Sequence, residues 1–218
     1  MIDLHTHTIF SDGELIPAEL IQRAKKKGYR AICITDHVDH TNIEFILSNL
    51  KKGITKINLA QDITVFVGVE LTHVPPPLIP DLIKFARELG ADLIVVHGET
   101  IIEPVEKGTN LAAIEGGADI LAHPGLISER EVKLAAEKNI YLEITTRKGH
   151  SLTNGHVARL AKQFGAKLVM NNDAHAPSDL IPVDQRRLIA LGAGLTEQDY
   201  LQMEKNSESI VNKILQKK

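Results

Sequence analysis

The stretch Ala31-Ile32-Cys33-Ile34-Thr35-Asp36-His37 (AICITDH) runs from apolar residues straight into an acid and a histidine. Five other apolar runs in the chain end in the same way. The polar residues that follow those five runs are His5 with His7, Glu70, His97, His123, and Asp173 with His175. Short apolar runs bounded by polar residues are typical of buried parallel strands. The sequence therefore predicts six strands that each end in an imidazole or a carboxylate.

Helical patterns separate the apolar runs, and a seventh run covers residues 140–144. Helices are predicted over 17–27, 80–89, 110–115, 128–138, 154–164, 183–191 and 197–215, and residues 41–60 predict a loop that contains a helix. Such alternation with short connections indicates a mostly parallel sheet. An open sheet would place its site at one switch point and use fewer strand ends. We therefore expect a closed α/β barrel that forms a single domain over residues 1–218, with its site at one end.

The composition limits the class of protein. The chain has 218 residues, of which 43% are hydrophobic and 24% charged, as in an ordinary globular domain. Its net charge of −3 and aromatic content of 4% make nucleic acid an improbable partner, because they indicate neither a basic surface nor a base-stacking platform. A single cysteine, Cys33, fits a reducing compartment. No apolar run is long enough for a membrane span, so we expect a cytoplasmic protein with no membrane partner.

The spacing of the polar residues indicates a metal site. His5 and His7 are two residues apart on a strand, so both side chains point to the same face. Asp3 lies one step deeper on that face and is a candidate to orient His5. Asp173 and His175 repeat the spacing on another strand. Burying such imidazoles and carboxylates together is costly unless they bind a charge, and six coincident strand ends favour a shared metal centre over six unrelated surface residues.

Seven short motifs occur in a fixed order along residues 3–177. They are His5-Thr6-His7-Thr8, Ser11-Asp12-Gly13, Thr35-Asp36-His37, Gly68-Val69-Glu70, His97-Gly98, Ala122-His123-Pro124-Gly125 and Asn172-Asp173-Ala174-His175. This set resembles the motifs of the PHP family, named after polymerases and histidinol phosphatases. The resemblance implies a distorted, TIM-like (β/α)7 barrel that holds two or three divalent metal ions.

The resemblance also implies a ligand set. His5 and His7 would bind a first ion together with Glu70 and Asp173. Glu70 would bridge to a second ion. His97 and His123 would also hold the second ion, and Asp12, His37 and His175 would hold a third. Some members of the family carry a histidine where this chain has Asp12, which favours weaker binding or manganese at the third ion. Three carboxylates and six imidazoles suit Zn²⁺, Mn²⁺ or Fe²⁺ better than Mg²⁺ or Ca²⁺.

The chemistry expected of such a centre is hydrolysis of a small phosphate monoester. Two ions about 4 Å apart can hold a hydroxide and polarise a phosphoryl oxygen, which gives Glu70 and Asp173 catalytic importance. Arg147 follows the sixth strand and is a candidate to clamp the phosphate. His40 is a candidate to bind substrate or to protonate the leaving group.

Other residues have weaker assignments. His73 and His150 are further candidates for substrate contact, although an ordinary loop histidine is the favoured interpretation of each; for His40 the two interpretations are balanced. Asp36 would point away from His37 on a regular strand, so we expect it to anchor hydrogen bonds.

Three other functions remain open at this stage. A phosphodiesterase or 3′–5′ exonuclease would use the same metals on nucleotides or nucleic acid. An amidohydrolase would hydrolyse a C–N bond on a barrel that also begins with His-x-His. A metal-bound module without catalysis would keep the ligands and lack turnover. The sequence selects no particular substrate and leaves the oligomeric state open.

Overall fold

The computed structural model of the chain describes residues 1–60 and 62–217. The strands in these ranges are β1 (Ile2–Thr6), β2 (Ala31–Ile34), β3 (His37–Val38), β4 (Thr64–Val67), β5 (Val69–Leu71), β6 (Ile94–His97), β7 (Ile120–Ala122), β8 (Tyr141–Thr145) and β9 (Leu168–Asn171). The α-helices are α1 (Pro17–Lys26), α2 (Ile43–Asn58), α3 (Ile79–Glu88), α4 (Thr109–Gly116), α5 (Glu129–Lys138), α6 (Asn154–Phe164), α7 (Val183–Gly192) and α8 (Glu197–Leu215).

The strands form a distorted (β/α)7 barrel, which confirms the predicted fold. All the strand pairs are parallel, in the orders β1-β2-β4 and β3-β5-β6-β7-β8-β9. Because β3 continues β2 and β5 continues β4, the nine segments occupy seven strand positions. A bridge between Thr6 and Ala174 joins β1 to the end of β9, where the His7 amide donates to the Ala174 carbonyl at 2.9 Å.

The distortion has a visible cause at the third strand position. Gly68 separates β4 from β5, where the sequence predicts one continuous strand. A Cβ atom at Gly68 would lie 2.6 Å from the Leu93 carbonyl oxygen, so the neighbouring backbone approaches too closely for any side chain. Glu70 therefore lies on a short second segment, paired with His37 on one side and Val95 on the other.

A second irregularity lies in β1 and changes which side chains face the barrel interior. Ile2 pairs with Ala31 and Asp3 with Ile32, whereas Thr6 pairs with Ile34. One extra residue of β1 is therefore accommodated between Asp3 and Thr6, as in a β-bulge. Because each added residue reverses the alternation of faces, Asp3 faces the helix layer with Ile32, while His5 faces the interior.

Two apolar layers fill the molecule. Inside the barrel, Cys33, Phe66 and Val95 belong to a cluster that includes Ile210 and Ile214 of α8. Outside it, the apolar faces of the other helices pack on the strands. Helix α2 is longer than the sequence predicted, because its buried residues Ile43, Ile46, Leu47, Leu50 and Ile54 form a full helical stripe. Within the described ranges, no helix combines the length and the apolar character that crossing a bilayer requires.

Candidate metal centre

Five of the predicted ligands meet at the carboxyl end of the barrel and are named here the inner cluster: His5, His7, Glu70, His123 and Asp173. His5 Nε2 lies 3.2 Å from Glu70 Oε1 and 3.7 Å from Asp173 Oδ1. His7 Nε2 lies 3.2 Å from Asp173 Oδ1. His123 Nε2 lies 3.7 Å from Glu70 and 3.6 Å from Asp173. At most 3% of any of these side chains is exposed, so the cluster is almost completely buried.

The hydrogen bonds of His5 indicate what the inner cluster binds. The Nδ1–H of His5 donates to Glu143 Oε1 at 2.9 Å. In a neutral ring, Nε2 then carries a lone pair, and this lone pair faces the Glu70 carboxylate. Such a contact is repulsive unless the ring takes a second proton or a cation lies between the two groups.

Buried atoms without partners support the cation. His5 Nε2, His7 Nε2 and Glu70 Oε1 are buried and have no hydrogen-bond partner. Their ligand atoms lie within 4.8 Å of one another, and the same holds for His5, His123 and Asp173. Several buried imidazolium ions side by side would each have to lose hydration, whereas divalent cations satisfy all these atoms at once. The residues therefore fit a divalent metal centre.

Glu143 supports the inner cluster from below. Its Oε1 also accepts from the Asn171 side chain at 2.9 Å, and its Oε2 lies 3.2 Å from the His123 amide nitrogen. Glu143, and not Asp3, therefore orients His5. Asp3 accepts from the backbone amides of His5 and Asn172 instead, because the irregularity in β1 turns its side chain away from the His5 ring.

Asp12, His37 and His175 form a second group beside His7. Asp12 Oδ1 lies 3.3 Å from His37 Nε2 and 3.1 Å from His175 Nε2. The ligand atoms of these three residues and of His7 all lie within 4.8 Å of one another. Asp12 is more than half exposed, whereas the two histidines are mostly covered. The third predicted ligand group is therefore brought together, and His7 lies between it and the inner cluster.

A tight turn places Asp12, and Asp36 holds that turn. The Asp36 carboxylate accepts from the Thr8 amide at 2.6 Å and from the hydroxyls of Thr8 and Ser11 at 2.7 Å each. The turn also needs Gly13, because a Cβ atom there would lie 2.6 Å from the His7 carbonyl oxygen. Asp36 is thus the hydrogen-bond anchor that the sequence predicted.

Unusual backbone geometry coincides with the site. The non-glycine residues with positive φ in the described ranges are His73 (53°), His123 (27°), Asn139 (58°) and Asp173 (52°). Asn139 ends a helix, where this conformation is common. The other three line or support the metal centre. Strained conformations of this kind persist where the surrounding structure enforces them and concentrate at functional sites.

A further set of side chains lies at the mouth of the barrel and is named here the rim cluster: His73, His97, Glu103 and His150. The Glu103 carboxylate lies 3.1 Å from His97 Nε2, 3.3 Å from His150 Nε2 and 3.4 Å from His73 Nε2. The ligand atoms of His97, His123 and His150 also lie within 4.8 Å of one another. The predicted pair of His97 and His123 is therefore extended by His150.

The predicted substrate residues take different places. A cavity of about 210 Å³ opens above the metal centre, and Arg147, His73 and His150 all line it. Arg147 Nε lies 3.6 Å from Asp173 Oδ2, and its Nη1 lies 3.3 Å from Asp179 Oδ2. His40 is exposed and is absent from the cavity lining. The structure therefore brings three of these four residues to the site and leaves His40 outside it.

The pKa values reflect crowded charges. Burial lowers the pKa of His5, but the carboxylates of Glu70 and Glu143 outweigh it and raise that pKa well above its usual range. Burial and the neighbouring His37 lower the pKa of His7. Burial raises the pKa of Asp173 to about 6, although His5 opposes the shift. Opposite pKa shifts in two neighbouring imidazoles are expected where the rings share too few carboxylates for each ring to hold a proton.

The sequence analysis missed two residues of the site, Glu143 and Glu103. Glu143 could have been found, because an acid in the middle of the apolar strand Tyr141–Thr145 is costly unless it has a buried partner. Glu103 lies in the irregular connection between β6 and α4, which has no periodic pattern. Its position depends on how that loop folds back over the barrel mouth, and nothing in the local sequence marks it.

Comparison with known proteins shows the family of the chain. The PHP domain matches residues 3–96. An uncharacterized protein of Methanocaldococcus jannaschii, MJ1295, is 51% identical over 201 residues, which cover 90% of this chain and 91% of that protein. The chain belongs to the PHP family. A probable phosphatase of Shewanella halifaxensis is 30% identical over 203 residues and is aligned over 83% of this chain and 79% of its own length.

Solved structures confirm the fold of this PHP protein. A chain of the archaeal ribonuclease P complex with mature tRNA superposes with a TM-score of 0.75 at 17% identity, over 98% of this chain and 91% of that one. The histidinol phosphate phosphatase of Lactococcus lactis, solved with zinc, L-histidinol and phosphate, superposes with a TM-score of 0.63. It is also 17% identical, and the match covers 89% of this chain and 94% of that one. At this identity both likenesses concern the fold alone.

Proposed function

We propose that this protein is a metal-dependent phosphoesterase that hydrolyses a small phosphate monoester in the reducing environment of the cytoplasm. The observation that carries the proposal is the inner cluster, in which buried imidazole nitrogens and carboxylates converge and in which His5 Nε2, His7 Nε2 and Glu70 Oε1 have no hydrogen-bond partner. Membership of the PHP family and the likeness to a probable phosphatase support the same class of reaction.

The inner cluster would hold the metal ions in the proposed reaction. His5, His7, Glu70, His123 and Asp173 would hold the cations, which would be Zn²⁺, Mn²⁺ or Fe²⁺ given so many nitrogen ligands. When bound, such ions activate water at neutral pH and offset the charge of a phosphoryl group. Because the cluster is buried, the ligands keep their positions, and little reorganisation is needed during reaction.

Arg147 is the residue best placed to bind the phosphate. Its guanidinium lies beside Asp173 at the cavity wall, and Asp179 holds it from behind. A planar guanidinium donates two parallel hydrogen bonds to phosphate oxygens, which fixes the orientation of the ester as well as its charge. We infer that Arg147 orients the scissile ester over the inner cluster.

The size and shape of the cavity favour a small substrate. Its volume of about 210 Å³ is below the ~300–1,000 Å³ that is common for pockets that enclose whole drug-sized ligands. The phosphoryl group and the first atoms of the leaving group would fill it. The remainder of the substrate would lie in the open mouth near His73, which is 42% exposed.

Two chromogenic esters test the proposed function. Protein purified with Zn²⁺ or Mn²⁺ is assayed with p-nitrophenyl phosphate and with bis-p-nitrophenyl phosphate. The proposal predicts turnover of the monoester that chelation abolishes. Cleavage of the diester alone would assign a phosphodiesterase instead. No cleavage of either ester by protein with bound metal would identify a module without catalysis.

A further inference from the structure

Glu103 occupies an unexpected position for a carboxylate. It lies on the loop between β6 and α4 and reaches over the barrel mouth, so that three imidazole nitrogens surround it at 3.1–3.4 Å. In an empty phosphate-binding cavity, a carboxylate of this kind would repel the substrate. Glu103 therefore either pairs with a protonated histidine at the rim or binds a cation there.

The hydrogen bond of His97 fixes which of its ring nitrogens faces Glu103. His97 Nδ1 lies 3.1 Å from the Gly98 carbonyl oxygen, which can only accept, so the ring carries its proton on Nδ1. In a neutral ring, Nε2 is then a lone pair, and it faces a Glu103 carboxylate oxygen at 3.1 Å. This is the same arrangement as that of His5 and Glu70 in the inner cluster, and a cation relieves it in the same way.

His150 is held in the manner of a metal ligand. It is only 4% exposed, and the Thr100 hydroxyl lies 2.8 Å from its Nδ1. A hydrogen bond at one ring nitrogen that leaves the other directed at a shared point is typical of metal-bound histidines. The His150 ring stacks on the His123 ring with 4.1 Å between centroids, and His97 meets His123 from the side at 4.4 Å. Three rings from three different segments therefore converge, and two of them, His97 and His150, contact Glu103.

The distances between Glu103 and two of the imidazoles are those of neighbouring ligands on one ion. Two ligand atoms that each lie ~2.0–2.1 Å from a zinc ion in a tetrahedral site are ~3.3 Å apart. The Oε1 atom of Glu103 lies 3.3 Å from His150 Nε2, and its Oε2 atom lies 3.1 Å from His97 Nε2. His73, on the exposed side, contacts the same carboxylate oxygen as His97 and so helps to hold Glu103 in place.

We propose that Glu103 and His150 are additional ligands of the cation that His97 and His123 hold, so that this ion is enclosed by the loop as well as by the strand ends. The proposal rests on the metal centre of the proposed function and extends its ligand set to two loop residues. The two loop residues would slow the exchange of this ion, and Glu103, once bound to it, would leave the cavity above Arg147 and Asp173 free for phosphate.

Metal affinity tests this ligand set without any substrate. The metal-free protein is titrated with Co²⁺, whose visible absorption reports coordination, and with Zn²⁺ against a chromophoric chelator. Glu103→Gln and His150→Gln are each expected to weaken one site of the centre by at least about tenfold and to change the Co²⁺ spectrum. Glu106→Gln is the matched control, because it removes the same charge from an exposed position of the same loop.

The outcomes separate this inference from the proposed function. Unchanged Co²⁺ spectra and Zn²⁺ affinities in both variants would overturn the inference, and a raised KM alone in Glu103→Gln would assign that residue to substrate. Weakened binding in both variants supports the inference even if the wild-type protein hydrolyses no ester. Metal-free Glu103→Gln should melt no lower than metal-free wild type, so a binding loss caused by unfolding would be visible in the melting curve.

Discussion

The inner cluster and the rim cluster contain the same kinds of side chain, but they are built differently. The inner side chains lie at strand ends, at most 3% exposed, and Glu143 supports them from inside the barrel. The rim residues Glu103 and His73 come from loops, and 37% and 42% of their side chains are exposed. Rigid strands fix where a reaction can occur, whereas loops decide what reaches it. We therefore expect substitutions in the inner cluster to lower turnover most strongly, and substitutions at the barrel mouth to weaken the binding of metal or of phosphate.

The largest effect is expected from Asp173→Asn in the inner cluster. The change keeps the shape and suits the positive φ of 52°, which asparagine tolerates well. It removes the negative charge that faces His5, His7 and His123. We expect hydrolysis of p-nitrophenyl phosphate to fall at least about a thousandfold, which is ~4 kcal/mol of transition-state stabilisation.

An exposed acid provides the control for that loss. Asp184→Asn removes the same charge from the surface of α7 and should leave turnover unchanged. Metal content measured on the same samples shows whether Asp173→Asn acts through lost ions. An active Asp173→Asn enzyme would contradict the assignment of the inner cluster as the site of reaction.

A smaller loss is expected from Glu143→Gln, which changes a support of the inner cluster without touching the cavity. The amide still accepts a hydrogen bond, but it no longer supplies a negative charge to His5. Partners behind metal-bound histidines contribute about 10–100-fold in affinity or activity. We expect a loss in that range in kcat and in metal affinity, with KM nearly constant. A change in KM alone would show that Glu143 does not act through His5.

Arg147→Lys should affect binding more than turnover. Lysine keeps the charge but loses the planar fork that binds two oxygens at once. We expect KM for a phosphate monoester to rise about tenfold, and inhibition by inorganic phosphate to weaken by a similar factor, as a lost charge-assisted hydrogen bond of about 1.5 kcal/mol would give. An unchanged inhibition constant for phosphate would exclude Arg147 as the phosphate ligand.

The smallest effect is expected from His40→Ala. The sequence proposed His40 as a substrate or leaving-group residue, but its side chain is exposed and outside the cavity lining. We expect kcat and KM to stay within about twofold of wild type, as for surface substitutions far from special features. A large loss of kcat in His40→Ala would instead restore His40 as the acid that protonates the leaving group.

The contrast between the two regions also explains what could be predicted from sequence. Apolar runs that end at His5, Glu70, His97 and His123 predict both the barrel and the candidate ligands, because the last residues of parallel strands lie at the same end of a barrel. The order of the motifs indicates the family. The resemblance to that family implies that Asp12 lies with His37 and His175. These features depend on local pattern alone.

What escaped prediction depends on contacts between distant segments. Asp3 and His5 face opposite sides of the sheet because β1 contains an irregularity, and the alternation of side chains along a regular strand does not predict it. The rim position of Glu103 requires the path of a loop, and a loop has no period. His40 lies only three residues after the candidate ligand His37, yet it is exposed in the connection between β3 and α2. Proximity in sequence to a ligand is therefore a poor guide outside regular strands.

The most direct test of the metal centre is elemental analysis combined with anomalous diffraction on the purified protein. We predict two or three divalent ions per chain, with anomalous peaks between His5, His7, Glu70 and Asp173 and beside His97 and His123. Protein that hydrolyses a phosphate monoester while it contains no divalent ion, or peaks that lie away from these side chains, would contradict the account.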